Sequence, residues 1–64
     1  MRALNRIRKQ KGYSASEMAK AIGISMRYYQ QLESGIRKGS VDVWDALEDF
    51  LGVNQRILRK DENL

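Results

Sequence analysis

Apolar positions recur every three or four residues in five separate stretches of this chain, and glycines or small hydroxyl residues stand between the stretches. The spacing predicts a first helix from about Arg2 to Gln10, with Leu4 and Ile7 on one face, Arg8 and Lys11 beside that face, and Gly12 as its left-handed stop. A second helix opens at Ser14-Ala15-Ser16-Glu17, where Ser14 can accept from the amide three residues on while Glu17 reaches back. Its apolar face is Ala15, Met18, Ala19 and Ile22, and Gly23 ends it. Ser25 caps a third helix from Met26 to Glu33, closed by Ser34-Gly35. Beyond a basic loop, Gly35-Ile36-Arg37-Lys38-Gly39, Ser40 caps a fourth helix with an apolar stripe of Val41, Trp44, Leu47, Phe50 and Leu51, and Gly52 terminates it. Asn54 opens a short last helix expected to turn Ile57 and Leu58 inward, leaving Asp61 to Leu64 as a frayed tail. No stretch alternates as a strand would, so the expected fold is all-α, a compact five-helix arrangement.

Composition narrows what such a fold can do. With 64 residues the chain is expected to form one domain that buries roughly 60% of its unfolded surface. Cysteine, proline and histidine are all absent, which removes disulfides, thiolate metal sites, and the commonest general base and transition-metal ligand. An enzyme is therefore not expected, nor any cofactor or metal. The acids Asp42, Asp45 and Asp49 share one outer face of the fourth helix and read as a solvated face without partner ligands. Neither a membrane-spanning run nor the apolar segment of a secretory signal is visible, so the expectation is a soluble cytoplasmic protein.

The net charge of +4 is unevenly placed: residues 1–40 carry nine basic and two acidic residues, residues 41–64 three basic and six acidic. A positive field concentrated on one part of a small fold is what a phosphate-binding face requires, although a merely solubilising surface would carry it too. The second and third helices are joined by a very short turn containing Gly23, the arrangement of a helix-turn-helix unit at about 15–34, whose second helix lies in the major groove. At 100° per residue, Tyr29 and Leu32 set the buried side of the third helix and Arg27, Gln30, Gln31 and Ser34 lie opposite. Arginine and glutamine are the side chains that make bidentate contacts to guanine and adenine edges.

Over Leu4 to about Leu58 the sequence resembles the lambda-repressor and Cro-like, XRE-type helix-turn-helix regulators. The resemblance is carried by Ile7-Arg8, Lys11-Gly12-Tyr13-Ser14, Glu17-Met18-Ala19, Ile22-Gly23-Ile24-Ser25, Tyr29, Leu32-Glu33-Ser34-Gly35 and Leu51-Gly52-Val53. It implies base contacts from Met26, Arg27 and Gln31, with Gln30 as a fourth. Phosphate contacts are implied for Ser14, Ser16, Ser25, Ser34, Arg37 and Lys38, and for Arg8, which the resemblance also pairs with Glu33 in a partly buried ion pair. The sequence departs from the family in having Ala15 where glutamine is usual, which shifts that phosphate contact to Ser16 or Lys20, and in opening the third helix with Met26, able to offer only apolar contact such as to a thymine methyl. Tyr28 points between the core and the exposed side, so it either buttresses the helix or sets its hydroxyl on a phosphate. Tyr13, Trp44 and Phe50 read as core.

The expected function is sequence-specific binding to double-stranded DNA as a transcriptional regulator. The resemblance further implies a repressor acting as a homodimer on a twofold operator, in a prokaryotic or phage nucleoid. Self-contact would come from Val53, Ile57, Leu58 and Leu64. The rival reading is a protein-interaction module, of antitoxin type for instance, with the basic face incidental.

Overall fold

The local signals at each helix start are met by short hydrogen bonds in the computed structural model, which describes residues 1–62. Five helices are present among these residues: α1 (Ala3–Gln10), α2 (Ala15–Ile22), α3 (Met26–Ser34), α4 (Val41–Leu51) and α5 (Gln55–Leu58). The all-α expectation holds, and the only extended pairing among the described residues is a single antiparallel bridge between Arg2 and Asp61. Ser14 Oγ accepts from the Glu17 amide at 3.0 Å and the Ser14 amide donates to Glu17 Oε1 at 2.8 Å, closing the capping box. These bonds to Ser14 hold the Glu17 carboxyl below the usual carboxylate range. The side chains of Ser25, Ser40 and Asn54 each accept one backbone amide, from Tyr28, Val43 and Arg56, at the starts of α3, α4 and α5.

Between α2 and α3 the chain turns in three residues. Gly23 adopts φ 82°, ψ 33°, its amide donates to Ala19 O at 2.9 Å, and Ile24 donates to the same carbonyl at 3.0 Å. This left-handed position suits a residue without Cβ, and it lets Ser25 begin α3 at once. The core formed around this unit consists of Ala3, Leu4 and Ile7 from α1, Met18 and Ala19 from α2, Tyr29 and Leu32 from α3, Trp44, Leu47 and Leu51 from α4, and Leu58 from α5. In this arrangement α2 packs on both α3 and α4, while α5 fills the gap between α1 and α4.

Three residues expected inside lie outside. Val41 is 72% exposed, Phe50 42% and Ile57 45%. Val41 occupies the first turn of α4 and projects past the end of the core, which begins at Trp44. Phe50 flanks the stripe set by Leu47 and Leu51 and covers the half-buried Tyr13, ring centroids 5.0 Å apart. In the four-residue α5 only one residue can face inward, and it is Leu58, fully buried. Leu58 is thereby removed from the expected dimer surface, and Leu64 lies outside the described residues.

The segment after α5 is not frayed at Asp61 and Glu62. Ala3 donates its amide to Lys60 O at 2.7 Å, Glu62 donates to Met1 O at 2.8 Å, and the Glu62 carboxylate accepts from Arg6 Nη2 at 2.9 Å. These bonds need a partner from the other end of the chain, which no local pattern announces.

Leu58→Ala is expected to destabilise the fold by about 2–4 kcal/mol, lowering the melting temperature by roughly 10–25 °C, whereas Ile57→Ala should cost under about 1 kcal/mol. Thermal melts of the two variants check the assignment, and equal losses would overturn it.

Candidate nucleic-acid interface

The exposed side of α3 begins from the same register that buries Tyr29 and Leu32. Met26, Arg27, Gln30 and Ser34 are exposed and Gln31 is half-buried. Arg27, Gln30, Gln31 and Ser34 line one open groove of about 460 Å³, whose other walls include Ala15, Met1 and Ile36. Ala15 is short, so the start of α2 leaves this groove unfilled beside Arg27. Met26 is exposed at the N-terminus of α3 but does not line the groove.

The hydroxyl residues cluster at helix starts. Ser14 and Ser25 spend an oxygen lone pair on the amides of Glu17 and Tyr28, and their hydroxyl protons remain free to donate outward. The amides of Ala15 and Ser16, and of Met26 and Arg27, are those a helix leaves without an internal acceptor, so both helix starts present donors and a positive dipole end. Ser16 and Lys20 are exposed. Ser34 donates to Gln31 O at 3.1 Å and so faces the groove from a fixed position. Tyr28 is half-buried and packs against the core, which supports the buttressing alternative. Arg37 and Lys38 are exposed in the loop after α3.

Arg8 and Glu33, which also line the groove, belong to a hydrogen-bonded charge network. Glu33 is 4% exposed. Its Oε2 accepts from Arg8 Nε at 2.6 Å and from the Tyr29 hydroxyl at 2.5 Å, and its Oε1 accepts from Asn5 Nδ2 at 2.8 Å and Arg8 Nη2 at 3.3 Å. Arg8 Nη1 donates to Tyr13 O at 2.9 Å. Burial by itself would raise the Glu33 pKa, but the bonds from Arg8, Asn5 and Tyr29 outweigh it and hold the carboxyl below its ordinary value. Burial first and then the neighbouring carboxylate push the Tyr29 hydroxyl far above the tyrosine range, so it stays a donor. Arg8 Nε, Nη1 and Nη2 each donate internally and its side chain is 11% exposed, yet Arg8 and Glu33 both line the groove, so the ion pair stands at the groove wall.

Sequence reasoning missed Arg2, Asn5 and the polar atom of Trp44. Arg2 donates its amide to Glu33 O at 2.8 Å and Nη1 to Leu32 O at 2.8 Å, capping the C-terminus of α3. Asn5 completes the Glu33 shell. Trp44 Nε1 donates to Lys38 O at 2.7 Å. The spacing of Tyr29 and Glu33, four apart on one helix face, was a usable signal for their bond; the contacts of Arg2 and Asn5 join positions about thirty apart in the sequence, and the Trp44 bond crosses from a helix to the loop before it. On the opposite side, Asp42, Asp45 and Asp49 are all exposed, and Asp45 Oδ1 accepts from Gln55 Nε2 at 2.7 Å, as does Glu48 Oε1 at 3.2 Å.

Comparison with known proteins agrees with this geometry. The helix-turn-helix family pattern matches residues 4–54. The chain is 38% identical over 58 residues, 91% of its length and 76% of the relative's, to YqaF of Bacillus subtilis strain 168, an uncharacterised HTH-type transcriptional regulator. Among solved structures it is similar to the N-terminal DNA-binding domain of SinR from Bacillus subtilis, with a TM-score of 0.76 and 26% identity over 95% of this chain and 90% of that one.

Because the folded-state pKa of Glu33 is depressed, its contribution to stability is full above the unfolded carboxylate value, about 4.3, and is lost as pH falls below it. Glu33→Gln should therefore flatten the acid limb of the stability profile while lowering stability at neutral pH by about 2–3 kcal/mol, somewhat less than for a fully enclosed pair because Arg8 keeps some solvent contact. Urea melts between pH 3 and pH 7 measure both effects; an unchanged acid limb would mean that other carboxylates set it.

Proposed function

Since this chain belongs to the helix-turn-helix family of DNA-binding transcriptional regulators, we propose that it reads duplex DNA with α3 in the major groove. Arg27 and Gln31 make the discriminating base contacts, Gln30 adds a third, and Met26 contributes apolar contact, for example to a thymine methyl. The observation that carries this reading is the open groove lined by Arg27, Gln30, Gln31 and Ser34, with the exposed cations of the next loop close by in sequence. Phosphates flanking the groove are gripped by Ser14 and Ser16 at the start of α2, by Ser25 at the start of α3, by Ser34 at its end, whose hydroxyl proton turns from Gln31 O to the phosphate, and by Arg37 and Lys38 after it. Tyr28 serves as a buttress of α3, and Arg8 with Glu33 orients that helix against α1.

The output is repression by occlusion of a promoter, by a homodimer on a twofold operator in a prokaryotic or phage nucleoid. Half-sites one helical turn apart, roughly 10 base pairs, suit two copies of α3 related by a twofold axis. With Leu58 in the core, the self-contact is left to Val53, half-buried, and Ile57, 45% exposed. No helix among the described residues is long and apolar enough to cross a membrane. Family and fold are those of a regulator rather than of an enzyme class, and the chain acts by binding alone, without a cofactor.

Selection of tight binders from a random duplex pool at moderate salt is expected to enrich a twofold motif with half-sites about one turn apart. Retention without enrichment would reduce the face to phosphate binding, and no retention would favour a protein partner. On the selected duplex, Arg27→Ala should relax base preference at one position, costing about 1–3 kcal/mol there, while Lys38→Ala should weaken all duplexes alike and lower the salt slope by about 0.9. Equal losses on every sequence for both variants would sink the assigned roles. Sedimentation of the DNA-free protein at high concentration tests the dimer, and a strict monomer counts against it.

A further inference from the structure

The loop that carries Arg37 and Lys38 has glycine at both ends and an exposed isoleucine, Ile36, yet its backbone is held at consecutive carbonyls from two different parts of the chain. Lys38 O accepts from Trp44 Nε1 at 2.7 Å. Arg37 O accepts from Arg2 Nη1 at 2.8 Å, the same nitrogen that caps α3 at Leu32 O. The two donors also touch: the Arg2 guanidinium carbon stands 5.2 Å from the centroid of the Trp44 ring. Gly39 fits only because it lacks a side chain, since a Cβ there would lie 2.6 Å from Trp44 Nε1 and 2.8 Å from Leu32 Cδ2, at φ 80°. From the other side, the Arg37 amide donates to Gln31 O at 3.3 Å.

We propose that Trp44 and Arg2 are positioning residues for DNA binding, a clasp that turns the carbonyls of Arg37 and Lys38 inward and so presents their cationic side chains at a fixed offset from Gln31. Neither donor needs to touch DNA; each acts through a backbone oxygen. Trp44 is fully buried, so its ring alone would serve the core, but its single polar atom is spent on a surface loop. A loop held beforehand surrenders less conformational freedom on docking than one free to move, and its charges meet the phosphates in the register that α3 sets in the groove. The inference rests on the DNA-binding roles proposed above for Arg37 and Lys38.

The test is Trp44→Phe, which keeps an aromatic ring in the core and removes the donor. In the DNA-free protein, nitrogen-15 relaxation at residues 36–39 should show a more mobile loop while the circular dichroism of the helices is retained. On the selected duplex, affinity should fall about ten-fold, the salt slope should become shallower by roughly 1–2, the equivalent of one or two phosphates, and the order of base preference should stay the same. In an Arg37→Ala/Lys38→Ala background the further substitution Trp44→Phe should cost nothing more in affinity, since its effect runs through those two cations. A loop that remains rigid, a salt slope that does not move, or an equal loss in the doubly substituted background would each overturn the clasp and leave Trp44 a core residue only. If Trp44→Phe fails to fold, Arg2→Lys, which keeps the charge but loses the planar fork, is read by the same measurements. If the unsubstituted protein binds no duplex, the functional reading fails, while the relaxation measurement still decides whether the clasp exists.

Discussion

The carboxylate of Glu33 sits inside the protein with each oxygen shared by two donors, and the geometry of the reading helix depends on that arrangement. Arg8 and Asn5 come from α1, Tyr29 from the preceding turn of α3, so the network ties the N-terminal helix to the helix that faces the groove. An ion pair of this kind adds little to net stability compared with apolar packing, but it tolerates only one arrangement. A rotation of α3 would strand a buried charge, so the helix is held in the register that keeps Tyr29 and Leu32 inside and Arg27, Gln30 and Ser34 outside. Nothing among the described residues is left uncompensated, as no buried side-chain nitrogen or oxygen there lacks a partner.

The cations divide by their partners into those that build the molecule and those that serve its surface. Arg8 is consumed by Glu33 and Tyr13, Arg2 by the carbonyls that end α3 and by the ring of Trp44, and Arg6 by Glu62. Arg27, Arg37 and Lys38 stand exposed, and among the described residues no salt bridge occupies them. Exposed cationic charge is what a polyanion needs, and the internally paired arginines serve the fold instead.

With no cysteine to cross-link it, a chain of this size gains from contacts that tie distant segments together. Here Ala3 with Lys60, and Met1 with Glu62, join the two termini, and α5 adds one fully buried leucine between α1 and α4. The start of the chain thereby serves two purposes, since Arg2 lies in the bridge to Asp61 and also caps the helix of the candidate interface.

Helix starts, the glycine turn and the exposed polar side of α3 were legible in the residues alone, because each is decided within four positions along the chain. Ser14 with Glu17, Ser25 with Tyr28, and Gly23 after Ile22 are such cases, and the identities of Arg27, Gln30 and Gln31 could be read from their direction against Tyr29 and Leu32. Periodicity could not say where an apolar stripe stops being covered, so Val41, Phe50 and Ile57 were placed inside although no partner reaches them fully. Nor could it show that Asn5 would join Arg8 on Glu33, that Asp61 and Glu62 would be tied to the opposite end, or that Trp44 would reach the carbonyl of Lys38. Those outcomes depend on which segments meet after folding, and burial and hydrogen-bond satisfaction are settled by neighbours distant in sequence.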